Sequence, residues 1–194
     1  MNWNEFKRSK LERLEKAKER KEVDEDIIPL LDLINSLDCF VTTSSCSGRI
    51  VVLDVPKIGD KLNAKFLDKW HQPIDWKEIV KALEGSIRTA WLISDPPIIH
   101  VACRDLECAK ALMKIANDSG FRRCGLISLT RLVVEITSFE RLEAPLAVDG
   151  RIVVSEEYIR LLADFANEKL LRGKEKLERF KAKLLDHRSF LQAL

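Results

Sequence analysis

The stretch Thr42 to Ile50, TTSSCSGRI, concentrates side chains able to hold a ligand. Ser44, Ser45 and Ser47 carry hydroxyls that both donate and accept, and Cys46 carries a thiol. Gly48 permits close backbone approach, while Arg49 offers a planar fork of N–H donors suited to a carboxylate or phosphate. That set suits a small-ligand cradle better than a plain turn. Two histidines add titratable nitrogens: His71, directly after Trp70, and His100, inside the apolar run IIHVAC. A histidine held in a buried strand needs a partner for its N–H, because desolvation penalises an unpaired polar group.

Several other chemistries lack their required parts. Three histidines and five cysteines are too scattered for a zinc finger or ribbon, so no metal is expected. Cys46 and Arg49 lack the longer phosphate-wrapping loop of a cysteine phosphatase. No GxSxG accompanies Ser45 or Ser47, which leaves an acyl-transfer serine unsupported. The cysteine count is odd with no CxxC pair, as expected of a reduced, cytoplasmic protein. No apolar run approaches the length of a membrane span, and neither secretion nor a membrane partner is expected. The formal charge is only +2, so any nucleic-acid surface must be local. Arg122, Arg123 and Arg131 flank one turn, and Lys169 to Arg188 is rich in cations.

These residues need elements to position them. Residues 1–22 read as an amphipathic helix with a solvated outer face, and residues 24–38 as a helix with Pro29 in its first turn. Cys39 to Thr43 and Arg49 to Val55 read as strands around the serine-rich loop, the second nearly continuous in apolar residues. Lys57 to Lys65 reads as a polar flap. Asp75 caps a helix over 76–83, and Arg88 to Ser94 and Ile98 to Cys103 are strands joined through Pro96 and Pro97. Asp105 to Ser119 has helical spacing and stops at Gly120. Phe121 to Leu129 and Arg131 to Ile136 form a hairpin. Thr137 to Val148 is extended, with Pro145 limiting it to an edge or a connection, and Arg151 to Val154 is a short strand. A helix capped at Ser155 ends at Gly173, a basic helix follows, and the last residues are expected to lack order. The fold class is therefore α+β, a mixed or largely antiparallel sheet with packed helices. Residues 1–194 form a single domain with an N-terminal and a basic C-terminal helical extension. No GxGxxG opens a βαβ unit, which argues against a dinucleotide-type fold.

TTSSCSGRI, the KWH of Lys69 to His71, the PPIIHV of Pro96 to Val101, LMKIANDSGFRRCG, and the RLVVEITS of Arg131 to Ser138 together resemble the tRNA wybutosine-synthesizing protein 3 family. The similarity covers roughly Phe6 to Leu170. It implies a non-Rossmann methyltransferase that uses S-adenosyl-L-methionine to methylate N4 of the aminocarboxypropyl-demethylwyosine at position 37, in the anticodon loop of tRNA(Phe). Carried over, the motifs imply a cofactor cradle at Ser44, Ser45, Cys46, Ser47, Gly48 and Arg49. The motifs also pick out Trp70, His71, His100, Gly120, Phe121 and Arg122; side-chain chemistry then suggests catalytic roles for His71, His100 and Ser45 and substrate contacts at Trp70, Phe121 and Arg122, and the cations Arg123 and Arg131 join them as tRNA contacts. The chain departs from the family pattern at Asp60 to Phe66, where a glycine-rich segment is expected. It also lacks an arginine near Thr137, so Arg131 or Arg141 takes that part. A non-catalytic RNA-binding module using the basic hairpin and tail is the alternative.

Overall fold

The computed structural model describes residues 2–57, 60 and 62–194. In chain order its elements begin with α1 (Trp3–Glu19), α2 (Ile28–Asn35), β1 (Phe40–Cys46), β2 (Arg49–Val55), β3 (Lys65–Trp70), α3 (Trp76–Leu83), β4 (Thr89–Asp95) and β5 (Ile98–Cys103). They continue with α4 (Leu106–Asp118), β6 (Arg123–Ser128), β7 (Val133–Thr137), β8 (Leu142–Val148), β9 (Arg151–Ile152), α5 (Glu156–Asp186) and α6 (Arg188–Ala193). Two compact units result. Unit 1 holds the residues up to Ser47, Pro97–Phe139 and Lys174–Leu194, and unit 2 holds Gly48–Pro96 and Glu140–Gly173.

Unit 1 contains an antiparallel sheet ordered β1-β5-β7-β6. Side chains alternate across a strand, so Ile99, Val101, Cys103, Val134 and Ile136 all point to one side. They pack there with Leu30, Leu31 and Ile34 of α2, Leu112 and Ile115 of α4, and Leu177, Phe180 and Leu184 of α5. The other side carries the intervening residues, His100 and Glu135 among them. Asn2 caps α1 reciprocally, its side chain accepting from the Glu5 N–H at 2.9 Å while the Glu5 carboxylate accepts from the Asn2 N–H at 3.1 Å. Gly120, at φ +99°, ends the α4 segment in the left-handed region that glycine adopts without strain.

Unit 2 contains an antiparallel sheet ordered β3-β2-β4-β8-β9. Ile50, Val52, Ala90, Leu92, Ala144 and Leu146 face Ile79 and Leu83 of α3 and Ile159, Leu162, Ala166 and Leu170 of α5. The buried Asp54 carboxylate ties down the turn before β4, accepting from Ser86 Oγ at 2.9 Å and from the Arg88 N–H at 3.2 Å. Charge-assisted bonds of this kind are among the stronger ones in a protein.

The α+β class and the antiparallel pairing hold, with the strands divided between two sheets. Four local expectations change. Ser44 and Ser45 belong to β1 itself, an edge strand that extends to Cys46. A bulge at Thr43 absorbs the irregularity. Pro145 lies within β8 and faces Trp91, next to a register shift; β9 pairs only with Ala147 and Val148, so the missing N–H of Pro145 breaks no ladder there. α5 runs through Gly173 without a break, since glycine within a helix costs only about 1 kcal/mol and apolar burial on its flanks exceeds that. The C-terminus forms α6, whose Leu191 is buried in the unit 1 core. The expected flap falls partly on residues 58, 59 and 61, outside the described residues.

Asp105 starts α4, its carboxylate accepting from the Cys108 N–H at 2.9 Å. That backbone donor holds the carboxyl below the usual aspartate range. A depressed folded-state value contributes stability that is full above the unfolded-state value and is lost as pH falls through the folded one. Asp105→Ala should therefore cost about 1 kcal/mol at neutral pH. Urea melts of the two proteins should converge as the pH drops below the carboxylate range.

Candidate functional site

The outer face of the unit 1 sheet carries a row of polar residues in direct register. Ser44 lies opposite His100, His100 opposite Glu135, and Glu135 opposite Gly125, one residue from each strand. His100 Nδ1 is 2.7 Å from Ser44 Oγ, and Nε2 is 2.8 Å from a Glu135 carboxylate oxygen. The His100 and Glu135 side chains are 25% and 27% exposed, sheltered enough to strengthen their pairing yet open to a ligand. A side chain at Gly125 would meet nothing within 4 Å, so that end of the row is open. Neighbouring Cys124 has its thiol pushed up to about 12, first by burial and then by the Glu135 charge. It remains a thiol at neutral pH and is no nucleophile.

Ser44 and Ser45, with Thr42 and Thr43, also form the floor of a cavity of about 270 Å³. Lys10 and Arg13, one helical turn apart on α1, line its wall, with Glu22 as the one acidic group of the lining. Arg131 stands over the Phe6 ring at 4.9 Å, and Lys10 reaches the same ring at 5.4 Å. These cation–π contacts hold two cations in place without neutralising them. The result is a row of hydroxyls beside a basic helix face.

A second concavity, of about 420 Å³, lies on the outer face of the unit 2 sheet. Alternate residues of β2 and β4, Val51, Leu53, Trp91 and Ile93, make its floor, and Phe66 of β3 its side. Charge rims it. Arg49 Nε reaches Asp95 at 3.5 Å, Arg141 Nε reaches the other oxygen of the same carboxylate at 3.5 Å, and Arg141 also pairs with Glu143 at 3.2 Å. The Arg49 guanidinium lies 5.5 Å from the Phe66 ring centre. An aromatic, apolar floor with two guanidiniums and two carboxylates suits a ligand with a flat apolar part and a zwitterionic end.

Residues 5–186 match the family described as Methyltransferase TYW3. The chain belongs to that family. An Archaeoglobus fulgidus relative, named tRNA(Phe) 7-((3-amino-3-carboxypropyl)-4-demethylwyosine(37)-N(4))-methyltransferase, is 53% identical, covering 95% of this chain and 94% of its own length. A Pyrococcus furiosus protein with the same name and the suffix 1 is 43% identical, over 94% of this chain and 95% of its own. Among solved structures, the PH1069 protein from Pyrococcus horikoshii superposes with a TM-score of 0.91 at 42% identity, covering 94% of this chain and 96% of that one. A hypothetical protein from Aeropyrum pernix gives 0.74 at 30% identity, covering 84% and 98%.

Within this TYW3 chain the motif residues divide between the two units. Ser44, Ser45, His100 and the exposed Arg122, Arg123 and Arg131 lie in unit 1, while Gly48, Arg49, Trp70 and His71 lie in unit 2. Cys46 ends β1, paired with Ile98. Ser47 is fully buried, and its N–H donates to the Asp24 carboxylate at 2.7 Å, which fixes the exit from β1. Gly48 turns the chain at φ +93°, and its carbonyl accepts from His71 Nδ1 at 3.0 Å. Trp70 pairs with Ile50 and packs against the unit 2 core, half-buried.

Phe121 is a correction. It is fully buried and meets Phe180 edge-on at 5.9 Å, so it anchors the turn after α4 and offers no surface to a substrate. Sequence reasoning missed Glu135, Phe66, Trp91 and Asp95. The signal for the cavity was present: β2 is apolar at both alternations, which reads as burial on two faces, whereas its second face lines a concavity. Phe121→Ala should cost about 3 to 5 kcal/mol in denaturant melts. Arg122→Ala should stay within about 0.5 kcal/mol of the parent.

Proposed function

We propose that the protein methylates N4 of the 7-aminocarboxypropyl-demethylwyosine at position 37 of tRNA(Phe), using S-adenosyl-L-methionine in the cytoplasm. The observation that carries this reading is the 53% identity, over nearly the whole of both chains, to a relative bearing that name. Among the described residues no helix is long and apolar enough to cross a membrane.

The donor set on the unit 2 face fits this cofactor. Arg49 and Arg141 offer partners for its carboxylate, Asp95 and Glu143 for its ammonium group, and Phe66 and Trp91 for its adenine. When bound, S-adenosylmethionine supplies a methyl group on a sulfonium, an excellent leaving group. The protein's share is then chiefly orientation: acceptor and methyl carbon must meet in line at about 3 Å, and such positioning supplies on the order of 7 to 11 kcal/mol. Within unit 1 His100 holds Ser44, and within unit 2 the Gly48 carbonyl holds His71.

Nucleotide 37 lies in a single-stranded loop, so exposing its base costs less than extracting one from a duplex. Arg122, Arg123 and Arg131 meet the RNA backbone, and Trp70 lies against the base. The basic helix α5 carries part of its charge in pairs with its own acids, Arg172 with Glu168 and Arg179 with Glu175, which weakens its claim as the main RNA surface.

Incubation with isotope-labelled S-adenosylmethionine and tRNA(Phe) bearing the aminocarboxypropyl intermediate should add one methyl group to the tricyclic base, read by nucleoside mass analysis. RNA binding without transfer would favour the non-catalytic module. Arg49→Ala should raise the Kd for the cofactor about tenfold or more, as expected on losing a charged hydrogen bond. Arg122→Ala should weaken tRNA binding and lower the salt dependence by about one phosphate contact. An equal loss at every salt concentration would remove Arg122 from the RNA interface.

A further inference from the structure

We propose that Ser44, His100 and Glu135 form a relay that accepts the proton leaving the acceptor nitrogen, with Glu135 as the positioning residue that fixes the His100 tautomer. This inference rests on the methyl-transfer reading above and assigns the base that reading leaves open.

A carboxylate only accepts, so the 2.8 Å contact between Glu135 and His100 Nε2 places a proton on Nε2. A neutral imidazole carries one such proton, which leaves a lone pair on Nδ1. The 2.7 Å contact from Nδ1 to Ser44 Oγ is then made by the serine O–H donating inward. With its proton committed to the ring, Ser44 Oγ has only lone pairs left for the cavity it borders. It becomes an acceptor for an N–H. The opposite tautomer would set the Nε2 lone pair against the carboxylate oxygens, so the charge of Glu135 decides the polarity of the row.

The backbone pairing of the sheet does not use the row. The three residues lie on the face opposite the unit 1 core, and the backbones of β1, β5 and β7 pair without them. Ser44 is exposed at one end, in the same cavity as Lys10 and Arg13. Those cations suit the phosphodiester flanking a nucleotide whose base edge meets Ser44. In the proposed step, the acceptor nitrogen forms its bond to the methyl carbon, and the donor sulfur keeps the electrons of the broken C–S bond. The proton of the acceptor N–H passes to Ser44 Oγ as the serine's own proton passes to His100 Nδ1. The ring nitrogen retains the electrons of its former N–H bond, and the imidazolium stays paired with Glu135 until it loses its proton to water. Atoms and charge balance without another reactant.

Two measurements on the full chain test the relay. In ¹⁵N-histidine-labelled protein without ligands, the His100 signal, assigned by its absence in His100→Ala, should be that of the Nε2–H form. In Glu135→Gln that preference should be lost. In steady-state assays, Glu135→Gln and Ser44→Ala should each lower kcat about ten- to a hundredfold with the KM values for tRNA and S-adenosylmethionine unchanged. A His100 ring protonated on Nδ1 in the parent protein overturns the inference, as does an unchanged kcat in Ser44→Ala whose circular dichroism spectrum matches the parent's. Transfer at parental kcat by these variants sinks the relay alone. Absence of transfer by the parent protein sinks the methyl-transfer reading itself.

Discussion

A histidine in the middle of a strand must have both ring nitrogens provided for, and the unit 1 sheet is arranged around that requirement. His100 is flanked in register by Ser44 on one neighbouring strand and Glu135 on the other, at 2.7 Å and 2.8 Å. Removing either partner would leave a half-sheltered polar atom unbonded, a loss of about 1 to 3 kcal/mol. The hydroxyl-rich composition of β1 follows from the same constraint. Phe40 fills the inner core, and the consecutive hydroxyl residues 42–45 further along β1 line the cavity beside α1.

Each sheet gives one face to a core, and the second faces differ in character. In unit 1 the second face is polar, with a hydrogen-bonded row and cations on the adjoining helix. In unit 2 it is apolar and aromatic, with a charged rim in which two guanidiniums share Asp95. Period-two alternation makes such a division possible, and regular antiparallel pairing keeps both faces in register. Three buried cysteines stand apart from both faces: Cys108 is pushed up to about 12 by burial, and Cys39 and Cys103 are raised for the same reason.

Much of the fold was legible because its signals are local. The Asp105 cap, the helical spacing to Ala116 and the stop at Gly120 together define α4. The hairpin of β6 and β7 is announced by its apolar runs and intervening turn. The continuity of α5 was not legible, since Gly173 is a local breaker overridden by long-range burial. The site was legible as a set of residue types more than as an arrangement. His100 carried a visible demand for a partner, but Glu135 could be named only once β7 lay beside β5. Phe121 shows the opposite error: a motif position flanked by surface arginines belongs to the core.

The central claim is that the outer face of the unit 1 sheet meets the acceptor base through Ser44. A crystal structure of the protein with S-adenosylhomocysteine and tRNA(Phe) carrying the aminocarboxypropyl intermediate tests it most directly. N4 of nucleotide 37 should lie at hydrogen-bond distance from Ser44 Oγ, about 3 Å, with His100 still bridging Ser44 and Glu135. A base bound elsewhere, with Ser44 facing solvent in the complex, would contradict it.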